Sequence, residues 1–370
     1  MQWSVESSRR KTDISAPPSE NPHQSSSALG ALGALRFGQG TAAQQYPLPV
    51  EQELSWQRGR SAGTFEARID LQDLQADELL VPSLVLPSLQ HSEQRYCYTC
   101  SLTAGGSQWS LANVCSHPAK TAGDSGIKTS GATTVVTQSD NVSTHIDLFA
   151  IKTPLKKPQL HICLYADSRP TNYLFVVSRR QHRMTSADAY SQAVHRPHHE
   201  VPALSQMTQP SAQRNGTCSP TALSMIMAHH GAPFHPATID ACKDPATGMY
   251  GVWPLNIVQA GLRGFTGAVE LVSTWADLAA YEGPFVASIS FAEGKLEGAP
   301  LKSTAGHLVV VCGASDKGVL CNDPAAPSAA TVRRKYDLKQ FTDAWLGSRG
   351  AAYLLSPACP ATSVERAPSI

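Results

Sequence analysis

Between residues 61 and 182 the chain is a series of short runs in which apolar and polar side chains alternate, cut by Gly, Ser, Pro and Asp. Thr64-Phe-Glu-Ala-Arg-Ile69, Gln94-Arg-Tyr-Cys-Tyr-Thr-Cys-Ser-Leu102, Thr133-Thr-Val-Val-Thr137, Gln159-Leu-His-Ile-Cys-Leu-Tyr165 and Asn172-Tyr-Leu-Phe-Val-Val-Ser178 are the clearest of them. Alternation with period two sends successive side chains to opposite faces of a strand, and repeated short strands of this kind predict an antiparallel β-sandwich. No charged or nucleophilic cluster falls in these runs. The stretch therefore reads as an accessory domain, with a glycan or a protein as the ligand to expect.

Around it, residues 1–60 are rich in Ser, Gln, Pro and small residues, the composition of a disordered leader. Residues 183–200 form a linker that includes His195-Arg-Pro-His-His-Glu200. Its proline breaks the helix that would align these imidazoles on a metal, so a solvated segment is expected. A second domain spans 201–357, and 358–370 is a flexible tail. Apolar residues make up 42% of the chain and charged residues 16%, enough to build buried cores. Thirty basic and twenty-nine acidic residues leave a formal charge of +1. That balance lacks the field of a nucleic-acid or membrane-surface binder. No apolar run reaches the ~18 residues of a membrane span. No apolar stretch follows Arg9-Arg-Lys11, so a secretory signal is not expected, and a cytoplasmic location with reduced thiols is. Nine cysteines leave at least one without an intramolecular partner. Cys97-Tyr-Thr-Cys100 has zinc-ligand spacing, but no second such pair follows. No metal and no cofactor are expected.

The chemistry concentrates in the second domain. In Asn215-Gly-Thr-Cys-Ser-Pro-Thr-Ala-Leu-Ser-Met-Ile-Met-Ala-His-His-Gly231, Pro220 suits the first turn of a helix, and Ala222, Leu223, Met225, Ile226 and Ala228 supply its apolar face. Gly231 ends it. Cys218 then sits at a helix N-terminus, where unpaired N–H groups and the macrodipole favour a thiolate. A buried, inert cysteine is the alternative.

Gly306-His-Leu-Val-Val-Val-Cys-Gly313 and Gly318-Val-Leu-Cys-Asn-Asp-Pro324 read as two strands of a hairpin. Pairing Val309 with Cys321 sets His307 opposite Asp323, with Cβ atoms about 4.5–5.5 Å apart. A slip of one residue would put Asn322 there and turn the aspartate to the other face. Cys218, His307 and Asp323 would then be nucleophile, base and orienter of an acyl transfer.

Gln206, the Cys218-Ser-Pro-Thr-Ala-Leu-Ser-Met helix start, Gly306-His-Leu-Val-Val-Val and Asn322-Asp-Pro together resemble the bacteriocin-processing-peptidase-like family, the thirty-ninth family of cysteine peptidases, which has a papain-like fold. The likeness is to its stand-alone bacterial branch, in which a β-rich domain precedes the peptidase-like one. Tyr250-Gly-Val-Trp-Pro-Leu-Asn256, Phe285-Val-Ala-Ser-Ile-Ser-Phe291 and Lys335-Tyr-Asp-Leu-Lys-Gln-Phe341 also look like that branch. The resemblance implies an α+β chain in which an antiparallel β-sandwich precedes a papain-like cysteine peptidase domain. It makes Cys218 the nucleophile, His307 the base, Asp323 the orienter and Gln206 the side-chain donor to the oxyanion. Gln206 lies twelve residues before Cys218, and Gln209 and Gln213 are the other candidates. Trp253 and Asn322 would line the substrate cleft, the alternative for Trp253 being an aromatic plug against Pro254 and the core.

The expected function is cleavage of a peptide or isopeptide bond in a peptide or protein substrate through an acyl-enzyme on Cys218. Two readings compete with it: an idle papain-fold binding protein, and an acyl transferase on the same three residues. No Gly-x-x-x-x-Gly-Lys-Ser/Thr loop and no His-Glu-x-x-His motif occur, so neither an ATP-driven export arm nor a metalloprotease is indicated.

Overall fold

The computed structural model describes residues 33–88, 95–117, 139–182, 194–210 and 214–358. Residues 1–32 of the leader, the Thr133–Thr137 run, residues 183–193 of the linker, Gln213 and the tail from Cys359 lie outside them.

With strands numbered along the chain, the first sheet has the order β1 (Gly33–Gln39), β11 (Tyr173–Gln181), β4 (Glu78–Val85), β9 (Phe149–Ile151), β8 (Val142–Thr144). The second runs β2 (Gln57–Arg58), β3 (Thr64–Asp70), β10 (Gln159–Ala166), β5 (Tyr96–Ala104), β6 (Ser107–Ser110), with β7 (Val114–Cys115) also on β5. All of these strand pairs are antiparallel. Cys97 and Cys115, opposite each other on β5 and β7, are joined by a disulfide where reduced thiols were expected. That bond removes Cys97 from any zinc site, and Cys100 is buried.

β4 and β11 read as nearly continuous apolar runs because both of their faces are covered. Leu80, Leu84, Phe175 and Val177 point into a core shared with Tyr98, Leu102, Leu160 and Ile162 of the second sheet. The alternate residues Leu79, Val81, Leu174 and Val176 belong to the other core, with the second domain. Residues 33–60, which the composition placed in a disordered leader, are part of this architecture. β1 pairs with β11 from Gly33–Arg179 to Gln39–Tyr173. The short helix α1 (Gly40–Gln44) follows, its Ala42 N–H donating to Asn172 Oδ1 at 2.8 Å. A low-complexity composition was misleading there because the partner strand, which supplies the apolar surface, lies far along the chain.

The third sheet has the order β12 (Phe265–Leu271), β17 (Ala351–Pro357), β13 (Phe285–Phe291), β14 (Thr304–Ser315), β15 (Gly318–Asn322), β16 (Arg333–Tyr336). Its helices are α2 (Cys218–His229), α3 (Pro236–Ala241), α4 (Trp253–Gly261) and α5 (Leu338–Trp345). α2 lies against β14 and β13, and α5 against β13 and β15. β12 is an edge strand, and the first sheet satisfies its free side. The Val269 N–H donates to Ser83 Oγ at 3.1 Å and the Leu271 N–H to Ser178 Oγ at 2.7 Å. An open edge would otherwise leave such donors unpaired. The buried Glu270 carboxylate accepts from Arg36 Nε at 2.8 Å and Tyr46 Oη at 2.9 Å.

In the segment before the second domain His195, Pro197, His198 and Glu200 are exposed, while Arg196 is buried. The Arg196 N–H donates to the Ala314 carbonyl, and its buried guanidinium donates to the carbonyls of Leu278, Tyr281 and Gly283. Among the described residues, no helix is long and apolar enough to cross a membrane.

Candidate active site

α2 starts at Cys218 because the chain reverses just before it. Gly216 has φ 93°, a left-handed conformation that glycine adopts without a Cβ clash, and Thr217 is the N-cap. Pro220 lies in the first turn, where an N–H would have no intrahelical acceptor. The helix is buried from Cys218 to Met227, so packing rather than a single stripe fixes its axis. Ser219 Oγ lies 2.8 Å from the Tyr353 hydroxyl on β17, which pins the start of the helix to the sheet.

β14 carries His307 toward this helix start. The β14–β15 ladder pairs Val311 with Cys321 and Val310 with Asn322, so the hairpin is two residues out from the Val309–Cys321 pairing expected from sequence. A bulge between Val311 and Gly313 changes the register within the hairpin. A shift of two residues keeps side chains on the same face. Asp323 therefore still faces His307, as a diagonal neighbour instead of a directly opposed one.

His307 Nε2 lies 2.8 Å from Asp323 Oδ1. That leaves Nδ1 as the ring nitrogen for the side-chain hydrogen bond between His307 and Cys218. The same Oδ1 accepts from the Ala325 N–H at 2.9 Å, and Oδ2 accepts from the Tyr336 hydroxyl at 2.7 Å. All three side chains are buried, Cys218 keeping 8% of its surface exposed, His307 3% and Asp323 none.

In this setting burial alone would push the Cys218 thiol up. The hydrogen bond with His307 and the charge of that ring, joined by the N–H groups of Leu308 and Ser219, outweigh it and hold the thiol below its ordinary value. Burial would lower the His307 imidazole, but the charge and hydrogen bond of Asp323, together with Cys218, raise it to about 10. Burial would raise the Asp323 carboxyl, and the charge and hydrogen bond of His307, with the donors Tyr336 and Ala325, hold it below the usual range. Opposite shifts on sulfur and ring favour a thiolate beside an imidazolium.

Gln206 is close by. It opens a single 3₁₀ turn, Gln206–Thr208, whose backbone is tied to the segment after Asp323: the Gln206 N–H donates to the Pro324 carbonyl at 2.8 Å and Ser205 Oγ to the Ala326 carbonyl at 2.5 Å. Its Nε2 donates to the Arg214 carbonyl at 2.7 Å, four residues before Cys218, while its buried Oε1 has no hydrogen-bond partner among the described residues. Gln209 accepts on its carbonyl from Arg214 Nε.

Trp253 and Asn322 are both buried. Trp253, 4% exposed, opens α4 inside the core, with its N–H on Asp147 Oδ2 and the Arg349 guanidinium 5.8 Å above its ring. Asn322 is fully buried and its Nδ2 donates to the Val201 carbonyl at 3.0 Å, which moors the chain entering the second domain. Sequence reasoning missed Tyr336 and the Ser219–Tyr353 contact. Both depend on which strands are neighbours in the third sheet, and no local pattern encodes that.

The fold and the site together define a mixed α/β chain, mostly antiparallel in its sheets, with a cysteine, a histidine and an aspartate gathered at one helix start. Residues 198–353 match the model of the Peptidase_C39 like family. Two solved structures are similar to the chain. One is a double glycine motif protease from an AMS/PCAT transporter, in complex with the leader peptide, at 20% identity, covering 45% of this chain and 98% of that one, with a TM-score of 0.32. The other is a C39-like peptidase from Bacillus anthracis, at 14% identity, covering 42% of this chain and 93% of that one, with a TM-score of 0.30. No curated protein matches the chain.

Proposed function

We propose that this chain is a cysteine peptidase or amidohydrolase that cleaves a peptide or isopeptide bond through an acyl-enzyme on Cys218. One observation carries the reading: His307 is bonded to Asp323 at 2.8 Å and acts on the Cys218 thiol to hold it below its ordinary value, with the sulfur at the N-terminus of α2. A thiolate there attacks the carbonyl carbon, and the carbonyl π electrons move onto oxygen. The Gln206 amide and the Cys218 backbone N–H are the donors for that oxyanion. The His307 imidazolium gives its Nδ1 proton to the leaving nitrogen as the C–N bond breaks. Water, deprotonated by the neutral ring, then attacks the thioester, which releases the acid and restores the thiolate. Asp323 holds the ring orientation and its charge throughout.

Exposed residues on both sides fit an approach by an extended peptide. Arg214, Asn215 and Gly216 precede the sulfur, and Ala305 and Gly306 precede the imidazole. The two N-terminal sheets are proposed as a β-sandwich that supports this domain. The test is mass spectrometry after reaction with an electrophilic peptide probe. A single adduct on Cys218, absent in Cys218→Ala, is expected, and a wild-type protein that forms none contradicts the reading.

A further inference from the structure

We propose that Tyr336 is a positioning residue of this site, donating its hydroxyl hydrogen to Asp323 Oδ2 so that Oδ1 stays directed at His307. Its meaning for catalysis rests on the peptidase reading above.

An aspartate whose Oδ1 holds the imidazole can rotate about its Cβ–Cγ bond and lose that geometry. Here each carboxylate oxygen has a fixed protein donor besides the histidine. The Ala325 N–H is on Oδ1 at 2.9 Å, and the Tyr336 hydroxyl is on Oδ2 at 2.7 Å. Tyr336 is itself immobilised. It is 1% exposed, it ends β16, which pairs Val319 with Tyr336, and its ring stacks on Phe341 of α5 at 6.1 Å with an interplanar angle of 14°. The hydroxyl is thus delivered from a different strand and helix than either His307 or Asp323. Burial, then the charge of Asp323, push the Tyr336 phenol far above its ordinary value, so it remains a donor at every pH the protein meets. Cys321 and Arg334 are the other titratable groups that act on it.

A tyrosine kept only for packing would need its ring and not its oxygen. The decisive comparison is therefore the rate of Cys218 alkylation by iodoacetamide across pH, in the full chain, for wild type and Tyr336→Phe. The variant keeps the ring and its stacking on Phe341. Loss of one hydrogen bond to a charged, buried acceptor is expected to slow alkylation near neutral pH by about tenfold. The acid limb of the profile should also move to higher pH, because the carboxylate that supports the imidazolium becomes easier to protonate.

In an Asp323→Asn background the same change should have no further effect on either quantity. Should Tyr336→Phe fail to fold, 3-fluorotyrosine at position 336 keeps the shape and makes a stronger donor, so the acid limb should move to lower pH. Superimposable profiles for wild type and either variant overturn the proposal for Tyr336. A wild-type Cys218 that reacts no faster than an ordinary thiol overturns the peptidase reading itself, and the two outcomes are separable because the probe needs no substrate.

Discussion

His307 reaches Asp323 across a diagonal of the β14–β15 hairpin, over 2.8 Å, and not across a directly paired position. Diagonal neighbours on a sheet start farther apart than opposed ones, at about 7–8 Å between backbones, so both side chains must extend to meet. The contact therefore depends on the turn after Asn322, where the Asp323 N–H is held by the Val332 carbonyl at 2.8 Å. Asp323→Ala leaves the ring without an orienter, and a loss of peptidase turnover of about 10⁴ is expected. Steady-state kinetics on a cleaved peptide measure it. A loss under tenfold would show that the diagonal contact is unimportant.

Thiol reactivity separates Cys218 from its buried relatives. Burial pushes the Cys242 and Cys312 thiols up to about 12, and those of Cys100 and Cys321 rise with them. Only thiolate reacts with an alkylating agent. Brief treatment with iodoacetamide near neutral pH followed by peptide mapping should find Cys218 modified first.

The pH dependence has a defined sign. The folded-state His307 lies at about 10, above its unfolded value, so its contribution to stability is complete below about 6.5 and fades as pH rises through 10. Asp323 is shifted the other way; its contribution is present above about 3.9 and is lost as pH falls through its depressed folded value. Peptidase activity should accordingly fall on the alkaline side near 10. An alkaline limb close to the ordinary imidazole value would remove the ion pair from the mechanism.

With Gln206 as the proposed oxyanion donor, Gln206→Ala should lower turnover by about 10²–10³ while changing KM little, because such a donor acts on charge that exists only in the transition state. Thermal unfolding of the same variant identifies any loss that comes from the tie to Pro324 instead.

Glu270→Ala strands the Arg36 guanidinium and the Tyr46 hydroxyl at the contact between the first and third sheets. Breaking one side of a fully buried ion pair typically costs about 3–5 kcal/mol, and the half-buried Arg36 places this pair below that range. Urea denaturation should show a lower midpoint in a single shared transition, since the two cores meet at β4 and β11.

The strands with clean alternation, such as β3 and β10, were readable in the sequence, as was the helix starting at Cys218. Each depends on its own periodicity and on local punctuation by Gly or Pro. The pairing of His307 with Asp323 was readable in face but not in register, since parity survives a shift of two residues whereas a bulge cannot be seen in the composition. Residues 33–60 and Arg196 were misread because their partners are remote: β11 for the first, and the carbonyls of Leu278, Tyr281 and Gly283 for the second. Trp253 and Asn322 are buried, and the backbone contacts of each, with Asp147 and Val201, could not be read from local pattern.

Because β4 and β11 wall off both interiors, the half of the chain that bears the cysteine has no closed interior of its own. A polypeptide beginning at Val201 would leave bare the surface that Leu79, Val81, Leu174 and Val176 cover, and would leave the Val269 and Leu271 amides without Ser83 and Ser178. The proposed reacting centre is thus inseparable from a scaffold that, among the described residues, gives it no atom, and trimming this protein to that centre would dismantle it.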